Sequence, residues 1–215
     1  MRVVVVDEEL PYPANSGKRI RTLNLLRPLA ERHQIVYLCY RGADAAETNL
    51  AVDYFREWGI ETVLVDRVLP LKSGPGFYGR LFWNLASPLP YSVQTHNSRA
   101  LRRAIRGYAA AHDVDLWHCE WTPYAESIHS LGMRHWVMMA HNVESLIWQR
   151  YGENETGALK RWYIAQQWRK FERFERRMCF RAPRTIAVSS TDARWMRERF
   201  GATRIDVVDN GVDAA

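Results

Sequence analysis

Residues 2–30 read RVVVVDEELPYPANSGKRIRTLNLLRPLA, and one change of hydrophobic period runs through them. Arg2 to Val6 is a β-branched run without alternation, the pattern of a strand buried on both faces. Turn formers follow from Pro11 to Gly17. Then Ile20, Leu23, Leu26, Leu29 and Ala30 recur at helical spacing, with Pro28 inside the helix expected to remove one backbone bond. Strand, loop and helix in that order are the opening unit of a parallel α/β sheet.

Working outward, the same alternation continues to the end of the chain. Strands are predicted at Gln34–Tyr40, Thr62–Val65, Val114–Trp121, Trp136–Ala140, Thr185–Ser189 and Ile205–Val208. Helices are predicted at Ala46–Trp58, Arg99–Ala111, Pro123–Leu131, Leu159–Phe180 and Asp192–Phe200, while Leu71–Asn97 reads as irregular. Helices between strands imply right-handed crossovers. The expectation is therefore an α/β fold: an open, mainly parallel sheet of about seven strands with helices on both faces. No repeat, low-complexity tract or linker divides the chain, so residues 1–215 read as a single domain. Ligands of such sheets meet the carboxyl ends of the strands. That directs attention to the loop after Val6, the stretch after Trp117, His141 onward, Ser189 onward, and Asn210.

Composition narrows the class. At 47% apolar and 25% charged the chain has material for a core and is not disordered. Its longest apolar run, Ile35 to Tyr40, is far short of the roughly 18 residues that span a bilayer. Cys39, Cys119 and Cys179 are too few and too scattered for a disulfide framework or a zinc site, and read as reduced packing residues of a cytoplasmic protein. Residues 150–184 hold ten Lys or Arg and four Glu, which accounts for the whole net charge of +6. Without a recognisable module or aromatics interleaved on that basic face, nucleic acid is not an expected partner.

Two phosphate-binding motifs fail. The first loop has one glycine, Gly17, where a dinucleotide fingerprint needs three, and Tyr12 stands where a P-loop has its first glycine. A receiver-type signalling domain is a rival reading: Asp7, Glu8 and Glu9 would form its acidic pocket and Asp66 its phosphoacceptor. Against it, His141-Asn142 follow the fifth strand where a receiver carries Lys. Asn15-Ser16-Gly17-Lys18-Arg19 opens a helix, and exposed amides there suit an anion; an ordinary cap by Ser16 is equally consistent.

Short segments spread in order along the chain carry a resemblance. They are Leu10-Pro11-Tyr12-Pro13, Ser16-Gly17-Lys18-Arg19-Ile20-Arg21-Thr22-Leu23-Asn24-Leu25-Leu26, Asp115-Leu116-Trp117-His118-Cys119-Glu120, His141-Asn142-Val143-Glu144, Ala187-Val188-Ser189-Ser190 with Asp192, and Asp209-Asn210-Gly211-Val212-Asp213. Together they resemble the N-terminal half of a family 4 glycosyltransferase of the GT-B fold, of the bacterial polysaccharide type. The resemblance implies a Rossmann-like acceptor-side domain and a second domain, beyond the segment matched here, that holds most of the nucleotide-sugar site. The fragment alone is then expected to be inactive. It further implies a retaining transfer without cofactor or metal from a nucleotide-sugar donor to a polysaccharide, glycoconjugate or lipid-linked acceptor. By the same resemblance His141 lies near the transferred sugar, and Gly17, flanked by Ser16 and Lys18, approaches the donor diphosphate. Glu120 faces the acceptor side with His118 packed behind it, Asn142 and Glu144 neighbour His141, and Ser189 and Asn210 border the interdomain cleft. In the long helix, Ile164, Trp168, Phe171, Phe174 and Met178 form a core stripe, and Arg169–Glu172 and Glu172–Arg176 sit at ion-pair spacing. A second use of that basic helix, with Tyr78, Leu81, Phe82 and Trp83, is peripheral contact with an anionic membrane.

Overall fold

In the computed structural model, which describes residues 1–67 and 73–209, seven strands form one parallel sheet. They are β1 Arg2–Val6, β2 Gln34–Tyr40, β3 Glu61–Val65, β4 Leu116–Cys119, β5 Trp136–Ala140, β6 Arg184–Ala187 and β7 Ile205–Val207. The order is β3-β2-β1-β4-β5-β6-β7, a doubly wound, Rossmann-like sheet whose order of strand addition reverses between β1 and β4. Val6 pairs with both Leu38 and Cys119, so Asp7 and Glu120 leave the sheet side by side at that switch point. The Glu120 amide donates to the Val6 carbonyl (3.0 Å).

The helices are α1 Gly17–Ala30, α2 Ala45–Glu57, α3 Gly74–Leu85, α4 Tyr91–His96, α5 Arg99–Ala111, α6 Ala125–Ser130, α7 Glu144–Asn154, α8 Ala158–Arg181 and α9 Ser190–Phe200, with a 3₁₀ turn at Thr122–Tyr124. Alternation along the strands splits the core in two. Val4, Val6, Val36 and Leu38 pack with α5, α6, α8 and α9 on one face. Val3, Val5, Ile35 and Tyr37 pack with Leu23 and Leu26 of α1 and with Phe55 of α2 on the other. Among the described residues, that second face carries helices over β1 to β3 only. Beside them an apolar groove of about 350 Å³ runs along Leu116, Val137, Met139 and Ile186, bordered by Leu25 and Leu29 of α1. Leu29 is consequently exposed, as is Ile20, and the buried stripe of α1 is narrower than its periodicity suggests.

Three expectations need correcting. The stretch read as irregular, 71–97, contains α3 and α4 in its described part. Pro75 is tolerated in the first turn of α3, where its missing N–H has no intrahelical partner, and aromatics on the solvent side blur the helical period. In α8 the inward side includes polar residues: Gln167 and Lys170 are buried while Trp168 is only half-buried. Gln167 and Lys170 hydrogen-bond Asn84 of α3, an anchoring that apolar spacing does not reveal. The ion pairs expected within α8 are replaced by contacts to α9. Glu172 lies 3.6 Å from Arg199, and Arg176 donates to the Arg199 carbonyl (2.7 Å).

Candidate functional site

His118 and Glu120 stand two residues apart along β4 and just past its end, so their side chains share a face. His141 follows β5 at the same sheet edge. Glu120 is buried and joins them: His118 Nε2 lies 2.7 Å from Oε2, and His141 Nε2 lies 3.0 Å from Oε1. Thr22 of α1 donates its hydroxyl to Oε1 as well (2.7 Å). Burial opposes ionisation of Glu120, but the hydrogen bonds from both imidazoles prevail and hold its carboxyl far below the usual range. An ionised carboxylate only accepts. Both Nε2 atoms must therefore carry protons, which leaves Nδ1 as the free ring nitrogen of His141. The two imidazoles spend their protons on the carboxylate and do not converge lone pairs on a point. Among the described residues no group of His, Cys, Asp and Glu has the character of a metal site.

On the other side of the switch point, Asp7 is buried and accepts from Lys18 Nζ (2.5 Å), Tyr37 Oη (2.7 Å) and the Glu8 amide (2.7 Å). Burial alone would lower the Lys18 pKa, yet Asp7 outweighs it and the ammonium is held above its ordinary value. Lys18 Nζ also lies 5.7 Å from the centre of the Trp121 ring. Ser16 caps α1, its hydroxyl accepting from the Arg19 amide (3.3 Å). The amides of Gly17 and Lys18 then open the helix with no partner inside it. A Cβ built on Gly17 would meet nothing within 4 Å, so no packing contact in this chain requires a glycine there. Arg21, one turn on, is buried; it donates to the Val208 carbonyl (3.0 Å), leaving Nε and Nη1 unpaired.

The segment carrying His141 is fastened from a distance. Val143 occupies the cap position of α7 and provides no side-chain cap. The carboxylate of Glu175, from the middle of α8, accepts from the Glu144 amide (2.7 Å) and the Ser145 amide (2.9 Å) instead. Burial pushes the Glu175 carboxyl up to about 7 despite those two bonds. Glu144 turns inward and accepts from Trp121 Nε1 (2.8 Å), with its carboxyl also raised by burial. Asn142 is exposed. Neither Asn142 nor Glu144 caps the helix.

Of the residues singled out from sequence, Ser16, Gly17, Lys18, Glu120, His141 and Glu144 gather around the β1–β4 switch point, Lys18 and Glu144 both approaching Trp121. Ser189 caps α9, accepting from the Asp192 amide (3.0 Å), at the end of β6. Asn210 lies outside the described residues. Sequence places neither Thr22 nor Glu175 in the site and gives Asp7 a role only in the receiver reading, and His118, expected to be packed, is bonded to Glu120. Only the His118–Glu120 pair had a readable signal, two polar residues at strand spacing. The receiver reading fails on architecture, because that fold orders its strands 2-1-3-4-5. Asp66 is also exposed beside Arg41 (2.7 Å), and Asp7 is committed to Lys18 and Tyr37.

Comparison with known proteins points in one direction. A family model described as Glycosyltransferase Family 4 matches residues 16–215. Among solved structures, Arabidopsis thaliana UGT89C1 complexed with UDP aligns with 99% of this chain and 50% of its own, at 12% identity and a TM-score of 0.51. Medicago truncatula UGT71G1 complexed with UDP-glucose aligns with 98% of this chain and 51% of its own, at 12% identity and a TM-score of 0.53. The chain spans about half the length of these structures, and at such identity the likeness is one of fold. A comparison with curated proteins found no match.

Proposed function

The chain belongs to Glycosyltransferase Family 4, and from that membership we propose that it forms the acceptor-side half of an enzyme transferring a sugar from a nucleotide-sugar donor. The acceptor is a polysaccharide, glycoconjugate or lipid-linked saccharide of the bacterial surface type, and the anomeric configuration is retained. The donor class is supported by the UDP and UDP-glucose complexes of the two similar structures. A second unit completes the donor pocket. Three buried free cysteines suit a cytoplasmic enzyme.

The observation that carries this reading is the hydrogen bond from His141 to a buried, ionised Glu120 beside the open start of α1. Loss of a nucleoside diphosphate puts negative charge on the leaving oxygen and positive charge on the sugar ring. The unpaired amides of Gly17 and Lys18 and the dipole of α1 are placed to receive the first. Lys18 adds little free charge, since Asp7 has already neutralised it. His141 meets the sugar through Nδ1, its only uncommitted ring nitrogen. Glu120 fixes the ring and stabilises any positive charge it takes up. Each oxygen of Glu120 is bonded to an imidazole, so it holds His141 in place rather than attacking the sugar or contacting the acceptor.

The test is donor consumption by the complete protein offered a panel of UDP- and GDP-sugars with saccharide and lipid-linked acceptors, the product anomer being read by NMR. Transfer with retention, lost in His141→Ala, is the expected result. Failure to consume any nucleotide sugar overturns the reading. Transfer that survives His141→Ala moves the site elsewhere.

A further inference from the structure

Helix α3 buries its polar side and exposes its apolar one. Asn84 is buried, donating to the Leu89 carbonyl (3.1 Å) and Gln94 (2.6 Å) and accepting from Gln167 of α8 (2.9 Å). Outward, Tyr78, Phe82 and Trp83 are 67%, 66% and 75% exposed. Single exposed apolar residues are ordinary, but three aromatics on one twelve-residue helix make a patch that calls for an occupant. Tyr78 also stands at the mouth of a cleft of about 480 Å³ between α3, α7 and α8, walled mostly by aromatic and aliphatic side chains and rimmed by Tyr151 and by Lys160, which is ion-paired with Glu155 (2.6 Å). Leu159, beside Lys160, is exposed as well.

Charge chooses between occupants. Residues 73–112 hold five Arg and not one Asp or Glu, so all 24 acidic residues of the chain lie outside this span. It includes all of α3, α4 and most of the crossover from β3 to β4. In a parallel sheet that crossover leaves from the carboxyl edge, so α5 starts there, with Arg99 and Arg103 exposed in its first turns. Aromatics that can sit among headgroups, on a cationic span without an acid, suit an anionic lipid surface, and Glu155 at the mouth of the cleft is offset by its ion pair with Lys160. Aromatic side chains are enriched at protein interfaces as well, and that occupant is an outcome the vesicle test separates.

We propose that the outward face of α3, continuous with the mouth of the α3–α7–α8 cleft, docks this protein peripherally on an anionic phospholipid surface. Phe82 and Trp83 enter the headgroup boundary and the basic span lies over the anionic lipids. No helix among the described residues is long and apolar enough to cross a membrane, so the contact is interfacial. The inference goes beyond the transferase reading and does not depend on it, since docking is measured without donor or acceptor.

The experiment is flotation of the 215-residue chain with vesicles of phosphatidylcholine alone and of phosphatidylcholine mixed with phosphatidylglycerol. Binding is expected to the mixed vesicles, and to weaken in 1 M salt, where the screening length is about 3 Å. Phe82→Ser/Trp83→Ser should weaken it at least about tenfold, with circular dichroism and melting unchanged because both side chains are largely exposed. Leu29→Ser, an exposed apolar position on α1, should float like the parent. Failure to float with mixed vesicles, or equal flotation of the double variant, overturns the proposal. So does a concentration-dependent dimer that the double variant abolishes while vesicles are ignored, for the face would then be an interface between copies. Should the double variant melt early, the lipid and salt dependence of the parent decides alone, and equal binding to neutral and mixed vesicles counts against docking.

Discussion

His141 is held by one short-range bond to a carboxylate that is itself fully occupied, so its ring is fixed before any substrate arrives. Removing a preorganised group of this kind typically costs about 10²–10³ in rate. His141→Ala in the complete enzyme should lose that much kcat while donor affinity changes little, with only a modest drop in melting temperature because His118 and Thr22 still bond Glu120. A variant that melts early but turns over normally at low temperature would place His141 in the core instead. Gly17 makes the complementary case. A methyl there meets nothing within the chain, so Gly17→Ala should fold with unchanged or slightly raised stability. It should raise the donor KM if a diphosphate lies against the backbone. Equal donor KM for parent and variant, measured by steady-state kinetics, would remove the phosphate from the start of α1.

At the scale of elements, α7 depends on α8 for its N-terminal cap. Glu175→Ala leaves two buried amides without an acceptor, a loss of about 1–3 kcal/mol, and loosens the segment that presents His141. The pH dependence follows from the raised carboxyl, whose folded pKa of about 7 exceeds the ordinary 4.5. The folded state therefore holds the proton more tightly than the unfolded state. The associated stability is complete below about pH 4.5 and is lost as pH rises through about 7. Thermal melting of the parent from pH 5 to pH 8 should show a falling trend that Glu175→Gln flattens. Identical slopes for the two proteins would show that Glu175 does not set it.

For the whole molecule, the two core clusters lie within one sheet and its own helices, so the chain is expected to fold by itself. Among the described residues, the groups gathered at the switch point supply helix-start amides and a positioned imidazole but no exposed, unpaired cation: Lys18 is paired with Asp7, and Arg21 is buried. Calorimetry of the 215-residue chain with UDP- and GDP-sugars should accordingly show weak or no binding. Micromolar affinity would mean that this chain holds the donor alone.

The seven strands, and the sheet edge at which the chemistry sits, were legible in the residues themselves, whereas α3, α4 and α7 were not. Hydrophobic period is a local property, and Arg2–Val6 followed by Leu23 and Leu26 declares a buried strand and an amphipathic helix whatever surrounds them. His141 could be located because the end of an apolar run marks the end of a strand. Only the tertiary structure decided what those residues touch. Glu120 meets Thr22 from 98 positions earlier and His141 from 21 later, and Glu175 caps a helix that begins 31 residues before it. Such bonds depend on distances set by the packing of several elements at once, and a hydrogen-bonding group leaves no periodic trace of a partner so far away. The same reason hid α3. Its inward side is secured through polar Asn84 and its outward side is aromatic, so the rule that apolar means buried pointed the wrong way until the helix could be seen against α8.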